Sequence, residues 1–248
     1  MTGPLPRVFV PPDSLAGSTL ELLGEDADRL FLRGVRAGDQ LVALDDSGWE
    51  ITVDVQVASP LAVRGHVASR QVAQERRTKV SLYQGLLHPS DFRRLLAGAT
   101  GLGVVAFVPV ITDRSQIVEL GADGRPLGEA EWPRLVRDAA ESSGRGRRPA
   151  VGQTMLFGHA LDDALRSGDV LLLDDEGELL AEALVRRPFS IDLFCPPPGG
   201  FSDEELAQAA ARNATAVRSP GAVHDPTRHA LAALEAIYAA LEPEPGDS

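Results

Sequence analysis

The stretch SIDLFCPPPGGFSDEELAQAAARN, residues 190–213, decides how the second half of the chain folds. SIDLF is a short apolar run with β-branched and aromatic residues, which suits a buried strand. Pro196, Pro197 and Pro198 then remove three backbone donors and fix φ. Gly199 and Gly200 do the opposite, permitting positive φ and the close approach of another group. From Ser202 the pattern turns helical, and Ser202-x-x-Glu205 reads as a capping box. Strand, glycine-rich loop and helix in succession commonly bind a small anionic or polar ligand at the loop.

The same alternation runs outward from this unit. VSLYQGLL, from Val80, reads as a strand, and a helix follows from Ser90 to about Leu102 with Phe92, Leu95, Leu96 and Ala99 at helical spacing. VVAFVPVI is a continuous apolar run, as a strand covered on both faces requires. Helices are expected around Trp132–Ser142 and Leu161–Ser167, then the strand VLLLDD, a last short strand near Ala216, and a long helix ending at Leu241. Leu231, Leu234, Ile237, Tyr238 and Leu241 share one face of that helix. Strands alternating with helices give an α/β domain with a mostly parallel sheet.

Before about residue 78 the rhythm differs. RVFV, STLELL, QLVALDD and WEITVDVQVA read as short strands separated by turns, with room for one helix near Asp26–Arg33, and together they suggest a small β-barrel. QERRTK, 74–79, has no apolar content and is the expected linker. The expected domains are therefore 1–75 and 79–242, with 243–248 an acidic disordered tail.

Composition narrows the function. Charged residues make up 24% and hydrophobic ones 44%, an ordinary globular balance. No apolar run is long enough to span a bilayer, and MTGPLPRVFVPP lacks the basic-then-apolar pattern of a signal peptide. Cys195 is the one cysteine, so no internal disulfide forms; that fits a reducing cytoplasm, and no membrane partner is expected. The net charge of −12 argues against generic nucleic-acid binding. Its distribution is uneven, however: residues 64–94 and 134–148 form two basic islands, and residues 162–182 hold eight acids against Arg166. His224, Asp225 and His229 are too few and too unevenly spaced for structural zinc, so no metal is expected. Ser115, Ser142 and Ser143 have no evident histidine–acid partner, and no hydrolase is expected.

Several stretches, in this order and spacing, resemble one family. ATGLGVVAFVPVITDRS (99–115), WPRLVRDAAESSGRGRRP (132–149), GGFSDEEL (199–206) and ALAAL (230–234) are similar to segments of the RsmE-type 16S rRNA (uracil-N3)-methyltransferases of the SPOUT class. The resemblance implies an N-terminal PUA-like β-barrel that helps hold RNA. It also implies a trefoil-knotted, SPOUT-like α/β domain that binds S-adenosylmethionine and forms a homodimer, here through the long C-terminal helix. Its implied substrate is a uridine of 16S rRNA in the small ribosomal subunit. By residue-for-residue match, Arg114 (in TDRS) and Arg145 (in SGR) become the substrate-contacting, catalytic candidates, because arginine can stabilise a developing uracil anion and hold phosphates. Leu173, Asp174, Pro198, Gly199, Gly200, Val223 and His224 become the cofactor-binding candidates, and Arg7, Arg33, Arg64, Arg76 and Arg77 the RNA-facing ones. The chain departs from the family where the cofactor would sit. The family pattern Gly-Pro-Glu-Gly-Gly is Pro196-Pro197-Pro198-Gly199-Gly200 here, so Pro198 stands in place of an acid. The rival reading is thus a non-catalytic paralogue that keeps the fold and dimer without the cofactor.

Overall fold

The structure, a computed structural model, describes residues 4–115, 126, 128–166, 168–219 and 225–242. Two compact units divide it: 1–75 together with 140–148, and 76–139 together with 149–248. Residues 140–148, which the sequence reading kept inside the second domain, belong to the first unit.

The first unit is built on β1 (Arg7–Phe9), β2 (Leu15–Ala16), β3 (Thr19–Leu23), α1 (Glu25–Leu32), β4 (Gln40–Leu44), β5 (Trp49–Ala58) and β6 (Ala62–Val72). Its curled sheet has the order β1-β4-β5-β6-β3-β2, with β1 parallel to β4 and every other pair antiparallel. Strict alternation makes β3 half-buried: Leu20 and Leu22 point into the core, while Thr19, Glu21 and Leu23 face out. Leu30, Leu41, Ile51, Val53 and Val63 complete that core. The long strand β6 was not among the strands expected from sequence. Its polar residues and glycine hide it, and Gly65 is there because a Cβ would run into the Asp54 carbonyl on β5. The 140–148 segment is fastened by ion pairs. Glu141, buried, accepts from Arg29 at 3.1 Å, from Arg33 at 2.8 Å and from the Phe9 N–H at 2.9 Å.

The second unit runs β7 (Lys79–Gly85), α2 (Pro89–Leu102), β8 (Ala106–Ile111), α3 (Trp132–Ser143, whose last turn falls in the first unit), β9 (Ala150–Val151), β10 (Met155–Leu156), α4 (Phe157–Ala164), β11 (Asp169–Leu179), α5 (Leu180–Ala183), β12 (Ser190–Cys195), α6 (Asp203–Ala211), β13 (Thr215–Arg218) and α7 (Pro226–Leu241). All its strand pairs are parallel, in the order β10-β8-β7-β12-β11-β13 with β9 also on β8. Period-two alternation splits the apolar strands between two cores. Val80, Leu82, Leu171, Leu173, Ile191 and Leu193 pack with α2 and α7 on one face. Tyr83, Val170, Leu172 and Phe194 pack with α4 and α6 on the other. Burial on both sides is why these strands read as unbroken apolar runs.

The helix α4 begins at Phe157, four residues before the expected start, and β9, β10 and α5 are too short for a periodic signal. The apolar face of α7 packs within the chain. Leu234, Ile237 and Tyr238 are buried in the core shared with α2, and a Cβ on Gly98 of α2 would stand 3.0 Å from Leu231. No helix among the described residues is long and apolar enough to cross a membrane.

Candidate active site

A cavity of about 250 Å³ lies in the second unit, walled by Arg114, Leu173-Asp174-Asp175, Pro196-Pro197-Pro198, Gly200-Phe201, Pro226 and His229. Three of the walls follow a parallel strand in the chain, and the fourth lies within one. Arg114 comes after β8, the 173–175 stretch lies at the point where β11 shifts register, the prolines follow β12, and Pro226 and His229 begin the helix after β13. Crevices at the carboxyl ends of parallel strands are the usual ligand sites of open α/β sheets, because loops there diverge to the two faces.

The proline wall is held by features that a reader of the sequence would pass over. Gln84, buried near the end of β7, donates its amide to the carbonyls of Gly85 at 3.0 Å and Pro196 at 3.1 Å. Gly85 lets the wall press onto β7, since a Cβ there would sit 2.6 Å from Pro197 Cδ and 2.7 Å from its nitrogen. The Gly200 N–H donates to the Pro197 carbonyl at 2.9 Å and closes a turn with Pro198 at its second position, where proline's φ fits. Gly200 itself has φ of 75°, which favours glycine. The prolines are thus the scaffold of a tight turn rather than an interruption before it. Phe201 anchors the far end, 5.4 Å between ring centroids from Phe157.

Arg114 crosses to this wall, its Nη1 donating to the Gly199 carbonyl at 3.0 Å. A Cβ on Gly199 would come within 3.1 Å of the Arg114 side chain, so the glycine makes the crossing possible. Asp174 and Asp175 put carboxylates on the opposite wall, so cationic and anionic groups face one space. Burial lowers the pKa of His229 below the ordinary imidazole value, against the pull of Asp175, and keeps the ring neutral near pH 7. Complete burial raises the Cys195 thiol far above its usual range, so it supplies no nucleophile.

Of the sequence candidates, the structure gathers Arg114, Leu173, Asp174, Pro198, Gly199 and Gly200 around this space. Val223 and His224 lie outside the described residues. Arg145 belongs to the first unit and is buried there, with its Nε donating to Glu75 at 2.7 Å, while Glu75 also takes the Gly146 N–H. That pairing gives Arg145 a structural task in folding its loop. Most of the RNA-facing candidates are engaged as well. Arg7 pairs with Glu50, Arg33 with Glu141 and Arg64 with Glu21. Arg76 lies over the Tyr238 ring and bonds the Leu102 carbonyl. Arg77 is exposed and makes no ion pair among the described residues. Gln84, Gly85, Phe201 and Pro226 were missed; a lone glutamine and a glycine ending an apolar strand were the one signal available.

Comparison with known proteins fits this geometry. The ribosomal RNA small subunit methyltransferase E of Synechocystis is 28% identical over 218 residues, covering 83% of this chain and 68% of that protein. A Legionella pneumophila protein solved in complex with SAM superposes with a TM-score of 0.84 at 24% identity, covering 95% of this chain and 98% of that one. The Neisseria gonorrhoeae ribosomal RNA small subunit methyltransferase E bound to S-adenosyl methionine gives 0.83 at 23% identity, over 94% and 97%. These two likenesses are of fold: a PUA-like barrel and a SPOUT-like α/β domain. The model of the RNA methyltransferase domain matches residues 74–218, more than half of the sequence, and the chain belongs to that RNA methyltransferase family.

Proposed function

We propose that the chain methylates N3 of a uridine in 16S rRNA, with S-adenosylmethionine bound in the cavity between the proline wall and Asp174. The observation that carries this reading is the convergence of Arg114 and the Gly199-Gly200 loop, past the carboxyl ends of β8 and β12, with Asp174 of β11. The donor set suits the cofactor. Gly199 and Gly200 leave room for Arg114 beside the loop, and Asp174 and Asp175 suit a ligand bearing a sulfonium and an ammonium. When bound, that cofactor supplies an electrophilic methyl group.

The chain's own residues supply position and charge. To accept a methyl group, N3 of the uracil would have to give up its proton to solvent, which leaves negative charge on the ring. Arg114, held against the loop, stabilises the negative charge that develops on the uracil carbonyls. Most of the acceleration comes from alignment, because the reactive group arrives with the cofactor. His229, neutral, lines the space without adding charge. Exposed Arg77 is the candidate for an rRNA phosphate contact, and a homodimer is proposed on the family resemblance.

Calorimetric titration with S-adenosylmethionine, followed by transfer of labelled methyl to a 16S rRNA fragment and mapping of the modified atom, tests this reading. Heat of binding and label on uridine N3 are expected. Absence of heat and of thermal shift at millimolar cofactor overturns it and favours the non-catalytic paralogue.

A further inference from the structure

We infer that Glu205 is a positioning residue that presents Arg114 to the cavity. Helix capping needs only part of this carboxylate. In a capping box the third helical residue accepts the N–H of the cap residue, and Glu205 Oε2 does so from Ser202 at 2.9 Å. Its other oxygen, Oε1, accepts the N–H of Asp113 at 3.0 Å, across 92 positions of sequence. Asp113 answers by accepting the Ser202 hydroxyl at 2.5 Å, and that hydroxyl also accepts the Glu205 N–H at 3.2 Å. A closed ring of four hydrogen bonds therefore ties the turn after β8 to the start of α6.

The turn so tied carries Arg114. It is preformed, since Ser115 Oγ accepts the Thr112 N–H at 2.9 Å. Arg114 is then held at two points: through the Asp113 amide by Glu205, and through its guanidinium by the Gly199 carbonyl. Glu205 is 3% exposed while Asp113 and Arg114 are exposed, so the ring is anchored from beneath and the arginine extends from it into the cavity. A carboxylate buried with both oxygens satisfied by backbone donors is a strong, directional tie. Glu205 is not among the residues that line the cavity; it acts through Arg114. The proline wall has its own support in Gln84 and Gly85, so loosening Glu205 disturbs the arginine more than the cofactor wall.

This inference rests on the reading of Arg114 as the uracil-stabilising group. The test uses the full chain with Glu205→Ala, Glu205→Gln, Arg114→Ala and the Arg114→Ala/Glu205→Ala pair. A positional loss of this kind lowers the single-turnover methyl-transfer rate on the order of 10²-fold. Cofactor affinity measured by calorimetry changes less than about threefold, and Glu205→Gln, which keeps one carbonyl acceptor, falls between the two. In the Arg114→Ala background Glu205→Ala costs no further rate, because its effect passes through the missing arginine. Hydrogen exchange supplies the arm that needs no activity: the Asp113 amide exchanges faster in Glu205→Ala and in Glu205→Gln than in the parent chain. Additive rate losses, or unchanged exchange at Asp113 in both variants, overturn the inference. A parent chain that neither binds cofactor nor methylates RNA refutes the proposed function instead, and the exchange result still decides the role of Glu205.

Discussion

Replacing Gly85 by alanine tests how closely the proline wall is fitted to the sheet. The backbone at Gly85 has no positive φ, so alanine meets no conformational strain and the effect is steric. The new Cβ would lie 2.6 Å from Pro197 Cδ, 2.7 Å from its nitrogen and 3.2 Å from the Pro196 carbonyl carbon. None of these atoms ends a flexible side chain. To restore ordinary carbon contact the wall must withdraw by about 1 Å, which stretches the Gln84 bond to the Pro196 carbonyl from 3.1 Å. Overpacking of this kind costs about 1–3 kcal/mol. In a chain of this size 2 kcal/mol lowers Tm by about 4–8 °C. The displaced wall also weakens S-adenosylmethionine binding at least about tenfold, equivalent to about 1.4 kcal/mol. Scanning calorimetry and isothermal titration read the two effects. Gly158→Ala in α4, whose Cβ would find its nearest neighbour at 3.5 Å, is the matched control and lowers neither value. A Gly85→Ala protein with the Tm and the affinity of the parent would refute the account of how the wall is seated.

Three further outcomes are expected. Gly199→Val forces a branched side chain against Arg114, where even a Cβ stands at 3.1 Å, and titration should show cofactor affinity lost without collapse of the circular dichroism spectrum. His229 has a folded pKa below its unfolded value of about 6.5, so protonation favours the unfolded chain. Stability is therefore full above pH 6.5 and declines as pH falls from there towards the folded value; denaturant unfolding of His229→Gln should show a shallower decline in that window. Glu141→Ala leaves Arg29, Arg33 and the Phe9 N–H without their shared acceptor and should destabilise the first unit by about 3 kcal/mol, seen as a lower urea midpoint.

The α/β half was legible because its strands are buried on two faces and its helices on one. VVAFVPVI and SIDLF announce themselves as β8 and β12, and the spacing of Phe92, Leu95, Leu96 and Ala99 names the buried face of α2. The strand β6 was not legible, since AVRGHVASRQV carries polar residues on its exposed positions and has little apolar alternation left to detect. At the site, glycines and motif arginines could be picked out, yet motif position alone does not separate Arg114 from Arg145. Their difference is made by partners distant in sequence. Gly199 offers Arg114 a carbonyl at the cavity, whereas Glu75 claims Arg145 in a buried pair. Gln84 escaped for a related reason: its amide serves Pro196, a residue that 112 positions of sequence separate from it.

The three prolines have a thermodynamic consequence. With φ already fixed in the unfolded chain, Pro196, Pro197 and Pro198 give up little conformational entropy when the segment folds, and less still when a ligand arrives. Its turn is closed and its carbonyl is held by Gln84 before anything enters the cavity. A ligand therefore meets a wall in its final shape, associates without a slow ordering step, and owes its affinity to contacts made rather than to disorder removed.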